Sequence, residues 1–139
     1  MKYPQNIEDM IGDFTFLDDW EDRYMHVIEM GKSLEGLTDD EHNTANKVNG
    51  CVSQVWLVTS QTENPVKLKY RGDSDAHIVK GLVAIAIEIF SGRTPQDIIA
   101  INAVEILNRL GLSEHLSVQR SNGLSAMIHR IQTEARTHI

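Results

Sequence analysis

The sequence contains very little cysteine. One cysteine, Cys51, stands among 139 residues. A disulfide needs two cysteines and a cysteine-only metal cage needs several, so this chain alone forms neither. Long apolar runs are missing too, because the densest one, Leu82 to Ile87, is interrupted by Glu88 far short of the ~20 residues that span a bilayer. The N-terminus lacks the pattern of a secretion signal. We therefore expect a cytoplasmic protein whose thiol stays reduced.

Basic residues are also scarce. The chain has 13 of them against 20 acidic residues, for a formal net charge of -7. A negative surface repels phosphate backbones and anionic headgroups, so we expect neither nucleic acid nor a membrane as a partner. No proline-rich or glycine-rich linker divides the chain, and its length is that of one domain. We predict a single domain over residues 1–139.

The hydrophobic pattern changes along the chain. Apolar residues at three- and four-residue spacing predict a helix between Leu17 and Leu34, and Thr38 to Glu41 has the pattern of a capping box. Val52 to Thr59 is rich in β-branched residues, and Val66 to Arg71 alternates apolar and cationic side chains. These two segments predict a hairpin with one buried and one solvated face.

The second half of the chain is helical. Ile78 to Phe90 carries so little charge that we expect it at the centre of the core. Thr94-Pro95 predicts the start of a further helix that continues to Gly111, and the last helix is expected to begin at Ser121 or Asn122. Strands and helices are segregated, which predicts an α+β fold: a small antiparallel sheet of about three strands, covered by helices on one face.

Cys51 is the residue best suited to chemistry. The six histidines include no pair at helical ligand spacing, so we predict no metal site. A lone cysteine is most often a small buried hydrophobe. Here, however, Asn49 and Gly50 precede it, and glycine permits positive φ and lets a loop pivot. Lys47 and the cations of the second strand could favour a thiolate if the fold brings them close. The inert and reactive interpretations carry equal weight on position alone.

Three blocks of sequence resemble the SufE family, the sulfur acceptors that work with cysteine desulfurases in iron–sulfur cluster assembly. The first block runs from Gly50 to Trp56. The second joins Gly72 to Ala76 with Ile78 to Leu82, and the third joins Arg120 to Leu124 with Ala126 to Ile128. They occur in order over nearly the whole chain. The resemblance implies a SufE/NifU-like fold.

The resemblance also implies a function for Cys51. This residue would take a sulfane sulfur from a persulfide on a pyridoxal-phosphate-dependent, SufS-like cysteine desulfurase and pass it to a SufBCD-like iron–sulfur scaffold complex. No metal or bound cofactor would be needed in this chain. Ser53-Gln54 favours SufE over its close relative CsdE, whereas Val52 replaces the glutamine or glutamate expected in the family. The oligomeric state is open, and a homodimer is one of the alternatives.

The other matching residues have two interpretations each. Asp73, Ser74 and Asp75 follow the second strand and provide three candidate N-caps for the next helix, or they form a partner surface beside the Cys51 loop together with Asn49 and Gly50. Arg120 is either a solvated cation beside the last helix or a residue that reaches the loop. Trp56 and its neighbours are expected to pack within the sheet.

Two other functions compete with sulfur acceptance. A thiol peroxidase or hydrolase would use Cys51 as its nucleophile and would need a basic partner, for which His77 and His115 are the candidates. A pure adaptor would stimulate a desulfurase through contact alone, with an inert cysteine.

Overall fold

A computed structural model describes residues 3–50 and 53–139. Within these ranges the chain forms two strands, seven α-helices and a 3₁₀ turn at Asp39–Glu41. The elements are α1 (Gln5–Phe16), α2 (Trp20–Lys32), β1 (Val55–Thr62), β2 (Lys67–Ser74), α3 (His77–Phe90), α4 (Pro95–Ala100), α5 (Ala103–Leu110), α6 (Leu112–His115) and α7 (Val118–Arg136). The capping box predicted at the 3₁₀ turn is confirmed, with Thr38 and Glu41 bonding each other's backbone N–H.

The sheet is a hairpin with an additional partial strand. β1 and β2 run antiparallel, with Val55 opposite Ser74 and Thr62 opposite Lys67. On the other edge of β1 the backbone of Lys47 pairs with that of Trp56, in the position of a third strand. Leu68 and Tyr70 are buried, whereas Lys67 and Lys69 are exposed, as the alternation predicts. The α+β class is confirmed, and the sheet is close to the size predicted.

Helix α3 forms the centre of the core, as predicted. It packs against β2 on one side and α2 on the other. Ile85, Ile89 and Phe90 are fully buried. The helix can be buried on so much of its circumference because nearly all its side chains are apolar. None of the helices in the described ranges combines the length and the apolar character needed to cross a bilayer.

Two glycines allow α2 and α3 to cross at close range. A Cβ placed on Gly81 of α3 would lie 2.2 Å from the carbonyl oxygen of Val27 in α2. A Cβ placed on Gly31 of α2 would lie 2.7 Å from the backbone nitrogen of Gly81. The two backbones are therefore in contact, and neither position has room for a side chain.

Helix boundaries in the second half differ from those predicted. The helix predicted from Thr94 to Gly111 is divided, because the Asn102 side chain accepts a hydrogen bond from Glu105 N at 3.1 Å and starts a new helix, α5. Thr94 caps α4 as expected, and Gly111 ends α5 at φ 78°. The last helix starts at Val118 with Ser117 as its cap, so the predicted start at Ser121 or Asn122 is wrong.

Helix α1 is not among the predicted elements. Its buried residues Ile7, Met10, Ile11 and Phe14 have the spacing of one helical face. Aspartates and glutamates stand between them, and the run is short, so the signal is weak in the sequence. The contacts of α1 with α3 and α5 bury that face.

Candidate functional site

The loop between the partial strand and β1 is the candidate site. Cys51 and Val52 lie outside the described residues, so the site is built from what surrounds them. Gly50 has φ 92°, a positive value that glycine permits, and a Cβ there would lie 3.3 Å from the Ala126 Cβ in α7. Asn49 and Gly50 are both exposed. The residue before Cys51 therefore lies against α7 in a conformation that favours glycine.

The two chain segments that flank this loop, residues 45–48 and 55–57, form its stem, and backbone hydrogen bonds join them. Val48 N donates to Val55 O at 2.8 Å, and Leu57 N donates to Asn46 O at 2.9 Å. Val48, Val55 and Leu57 are buried, as the sheet-packing interpretation of this strand expects. Because both ends of the stem are tied to the core, the loop that contains Cys51 starts and ends at fixed points.

The residues after Cys51 are anchored by the turn that follows β2. Gln54 N donates to Asp75 Oδ1 at 3.1 Å. Gln54 O accepts from Ser74 Oγ at 2.7 Å and from Asp75 N at 3.3 Å. Both backbone polar groups of Gln54 are thereby satisfied by two residues about twenty positions further along the chain. This turn lies beside the end of the Cys51 loop.

The predicted N-caps for the following helix are wrong. The cap of α3 is Ala76, which offers no side-chain hydrogen bond. Asp73 and Ser74 belong to β2 instead, and Asp75 and Ser74 bond to Gln54. Local sequence could not decide this, because aspartate and serine favour helix caps and turns for the same reason: short side chains that bond to nearby backbone.

Asp73 holds together three elements next to this turn. Its Oδ2 lies 2.8 Å from His42 Nε2, and its Oδ1 lies 3.3 Å from Lys80 Nζ in α3. Burial alone would raise the pKa of Asp73, but hydrogen bonds from His42, Ser74 N and Lys80 outweigh burial and hold it below its usual value. His42 Nδ1 lies 2.7 Å from Thr38 O. Both ring nitrogens face acceptors, so only the doubly protonated imidazolium satisfies both.

The His42–Asp73 pair predicts a pH dependence of stability. The hydrogen bond to Asp73, supported by the one to Thr38 O, raises the pKa of His42 above 6.5. A raised folded-state pKa means that the stabilisation is complete below the unfolded value of 6.5 and is lost as the pH rises through the folded value. We expect wild type to melt above His42→Gln at acidic pH, with the gap closing above neutrality. A melting-temperature difference that stays constant or widens with pH would contradict this assignment.

The cations of the second strand do not gather at the loop. Arg71 pairs with Glu41 through both terminal guanidinium nitrogens, and this contact, with the hydrogen bond from Thr38 N, lowers the pKa of Glu41 to about 2. Lys67 and Lys69 are paired in register with Thr62 and Ser60, at the end of β1 away from Ser53. The hypothesis that these lysines favour a thiolate at Cys51 therefore loses its basis.

A cavity of about 340 Å³ opens beside the loop. It lies between Ser53, the start of α3 and the first turns of α7. Its described lining combines apolar side chains with hydroxyl and amide groups and one cation. The residues are Ser53, Ala76, Ile78, Val79, Leu82, Ser117, Gln119, Arg120, Gly123, Leu124 and Met127. Arg120 is the one charged side chain in that described lining, which includes no histidine or carboxylate.

Arg120 lies in the first turn of α7 at the wall of this cavity. Its backbone nitrogen donates to the capping Ser117 Oγ at 3.2 Å. Its guanidinium carbon lies 6.0 Å from the centroid of the Tyr24 ring, within the range of a cation–π contact. Arg120 thus lines a cavity that Ser53 also lines, and its guanidinium contacts α2.

The two candidate bases for a nucleophilic enzyme, His115 and His77, are not among the residues that line this cavity. The His115 ring stacks on the Trp20 indole with centroids 4.4 Å apart. His77 is exposed at the first position of α3. Over residues 3–50 and 53–139, no group of three or more His, Cys, Asp or Glu side chains is arranged to hold a metal ion.

Arg130 is a residue that the sequence patterns do not reveal. This α7 residue donates to three consecutive carbonyl oxygens of the loop stem, those of Ala45, Asn46 and Lys47. No motif or spacing marks it, because its acceptors are backbone atoms more than eighty positions away.

Comparison with known proteins gives one consistent result. The SufE family model, described as an Fe-S metabolism associated domain, matches residues 8–135. An uncharacterized SufE-like protein of Rhizobium etli is 52% identical over 134 residues, which cover 94% of this chain and 90% of that protein. Another from Rhizobium meliloti is 53% identical over 133 residues, covering 94% of both chains.

A solved structure shares the fold. The solution structure of a hypothetical protein from Thermus thermophilus superimposes with a TM-score of 0.77 at 19% identity. The match covers 98% of this chain and 97% of that one. At this identity the likeness concerns the fold alone. The family match and the two relatives go further, and the chain belongs to the SufE family, which is associated with iron–sulfur metabolism.

Proposed function

We propose that this protein accepts a sulfane sulfur on Cys51 from a pyridoxal-phosphate-dependent cysteine desulfurase and passes it to an iron–sulfur scaffold. Membership of the SufE family supports a role in iron–sulfur metabolism. The single cysteine supports a carrier over a scaffold, because one thiol can hold one sulfur but cannot enclose a cluster. A reduced thiol is required, so we assign the reaction to the cytoplasm.

The transfer itself is a thiol–disulfide type of exchange. The Cys51 thiolate attacks the outer sulfur of the donor persulfide and forms a new S–S bond. The bond between that sulfur and the donor cysteine breaks, and the donor cysteine leaves as a thiolate. No electrons are gained or lost overall, and neither a metal nor a cofactor in this chain takes part.

The cavity beside Ser53 is the observation that carries the proposal. Walls formed by Ile78, Leu82, Leu124 and Met127 would keep water and small thiols from a bound persulfide. Arg120 would offer one cation to a persulfide anion, a charge-assisted contact.

Loop movement would connect the donor and the cavity. The stem is fixed at Val48 and Val55, and Gln54 is held by Ser74 and Asp75. Asn49 and Gly50 lie between these anchors and are exposed, with Gly50 at positive φ. We propose that rotation at these two residues carries Cys51 out to the desulfurase and back to the cavity.

The proposal is tested by mass spectrometry of the intact protein. After incubation with a cysteine desulfurase and free cysteine, wild type should gain one sulfur atom, and a reducing thiol should remove it. Peptide mapping should place that sulfur on Cys51. Cys51→Ser should gain none, since no other thiol is present in the chain. An equal adduct on Cys51→Ser would refute the assignment.

A further inference from the structure

We propose that Arg130 is a positioning residue that sets the stem of the Cys51 loop against α7 and so keeps the thiol sheltered. Arg130 Nη1 donates to Lys47 O at 2.7 Å and to Asn46 O at 3.3 Å. Its Nη2 donates to Ala45 O at 2.9 Å. The effect on sulfur transfer rests on the proposed function, whereas the hydrogen bonds of Arg130 to the stem do not depend on it.

The three carbonyls lie in and next to a turn at the start of the stem. Residues 44–46 form this turn, and Lys47 N donates to Thr44 O at 3.3 Å. Asn46 O also accepts from Leu57 N of β1 at 2.9 Å. Leu57 N thus ties the turn to the sheet, whereas Arg130, which donates to all three carbonyl oxygens, ties it to α7.

The guanidinium suits this task better than any other side chain. It carries five N–H donors in a rigid planar fork, so one group can reach three acceptors. Lysine would bring the same charge to a single point. In the described part of the chain no carboxylate lies within 4.0 Å of Arg130, and its donors are directed to the stem.

The position of Arg130 on α7 links the stem to the cavity. Ala126, which faces Gly50, is one helical turn before Arg130 and therefore on the same face of the helix. Leu124 and Met127 of the same helix line the cavity. One rigid helix thus holds the stem with Arg130, contacts Gly50 with Ala126 and forms a cavity wall. Loss of the Arg130 contacts would free the stem to move away from that wall.

Freed movement has a chemical consequence. A small thiol can attack the outer sulfur of a Cys51 persulfide; the S–S bond to Cys51 breaks, Cys51 leaves as a thiolate, and the sulfur departs on the small thiol. Shelter slows this loss because the attacking thiol needs access. The uncharged variant Arg130→Gln should therefore lose its persulfide to glutathione faster than wild type, by about tenfold if one charge-assisted hydrogen bond limits opening.

The matched control is Arg136→Gln. It removes the same charge from the same helix, at an exposed position in the last turn. Each variant is loaded with sulfur by a desulfurase, separated from it, and exposed to glutathione while mass spectra follow the remaining persulfide. Arg136→Gln should match wild type. A rate for Arg130→Gln equal to or below that of wild type would overturn the proposal.

Alkylation of the unloaded thiol separates this inference from the proposed function. Iodoacetamide should modify Cys51 faster in Arg130→Gln than in wild type. If Arg130 acted only through its charge, its loss would disfavour the thiolate and slow alkylation near neutral pH. That result would be opposite to the faster alkylation that the positioning role predicts. Faster alkylation in a protein that never gains sulfur would reject the function and keep the positioning role.

A folding control completes the design. The melting temperature of each variant shows whether it is folded at the assay temperature. If Arg130→Gln is unfolded there, Arg130→Lys is measured in its place, because it keeps the charge and the aliphatic stem but loses the fork. Folded Arg130→Lys should also alkylate faster than wild type, and an unchanged rate would refute the proposal.

Discussion

Cys51→Ala is expected to reduce the stimulation of a cysteine desulfurase to nothing, leaving the turnover of the desulfurase alone. Stimulation by an acceptor comes from removal of the persulfide that would otherwise block the donor cysteine. That removal requires a thiolate to attack the outer sulfur, and the chain has one thiol to supply it. Turnover is measured as alanine released from free cysteine, with no small thiol present.

The matched control moves the thiol to another site. The double variant Cys51→Ala with Ser60→Cys again has one cysteine, now exposed near the far end of β1. At about 3.3 Å per residue, Ser60 lies roughly 17 Å along the strand from Val55, where the loop stem ends. This variant should not restore stimulation. If Cys51→Ala itself stimulated as well as wild type, the protein would be an adaptor with an inert cysteine.

The sequence predicts the elements whose evidence is local. The alternation from Val66 to Arg71 gives the buried face of β2, and the low charge of Ile78 to Phe90 gives the central helix. Thr38 and Thr94 are recognisable as caps because cap chemistry is contained within four residues. In each case the physical cause lies inside the segment itself, so no knowledge of the tertiary structure is needed.

The predicted helix start is wrong where two residues can both serve as the N-cap. Ser117 and Ser121 can both cap a helix, and the structure uses Ser117, whose Oγ accepts from Arg120 N. The helix therefore begins several residues earlier than predicted, and Arg120 becomes a helical residue facing the cavity. In the structure α7 packs against α3 and α4, contacts that local sequence does not reveal.

The sequence proposes a centre for the candidate site but does not reveal the contacts around it. The sequence selects the Asn49-Gly50 turn and connects Asp73 to Asp75 with the Cys51 loop through the family resemblance. It cannot show that Gln54 bonds to Asp75 and Ser74, or that Arg130 bonds to the stem, because both depend on chain segments brought together by folding. The cavity has the same origin, since its walls come from three separate parts of the chain.

Gly81→Ala is expected to destabilise the protein by about 2 kcal/mol or more, the usual cost of forcing a methyl group into a packed core. The new Cβ would lie 2.2 Å from Val27 O and 2.5 Å from Val27 Cγ1. A backbone carbonyl cannot move aside as a flexible side chain can, so α2 and α3 must separate. The better helix propensity of alanine returns only about 1 kcal/mol.

Gly12→Ala is the matched control for this change. Gly12 lies inside α1, and a Cβ there meets nothing within 4 Å. Its replacement should stabilise the protein by up to about 1 kcal/mol through helix propensity alone. Urea unfolding should give a lower free energy of unfolding than wild type for Gly81→Ala and a higher one for Gly12→Ala. Equal stabilisation by both substitutions would mean that α2 and α3 do not cross in contact at Gly81. Because α3 also forms one wall of the cavity beside Ser53, separation of these helices should change the shape of that cavity as well as weaken the fold.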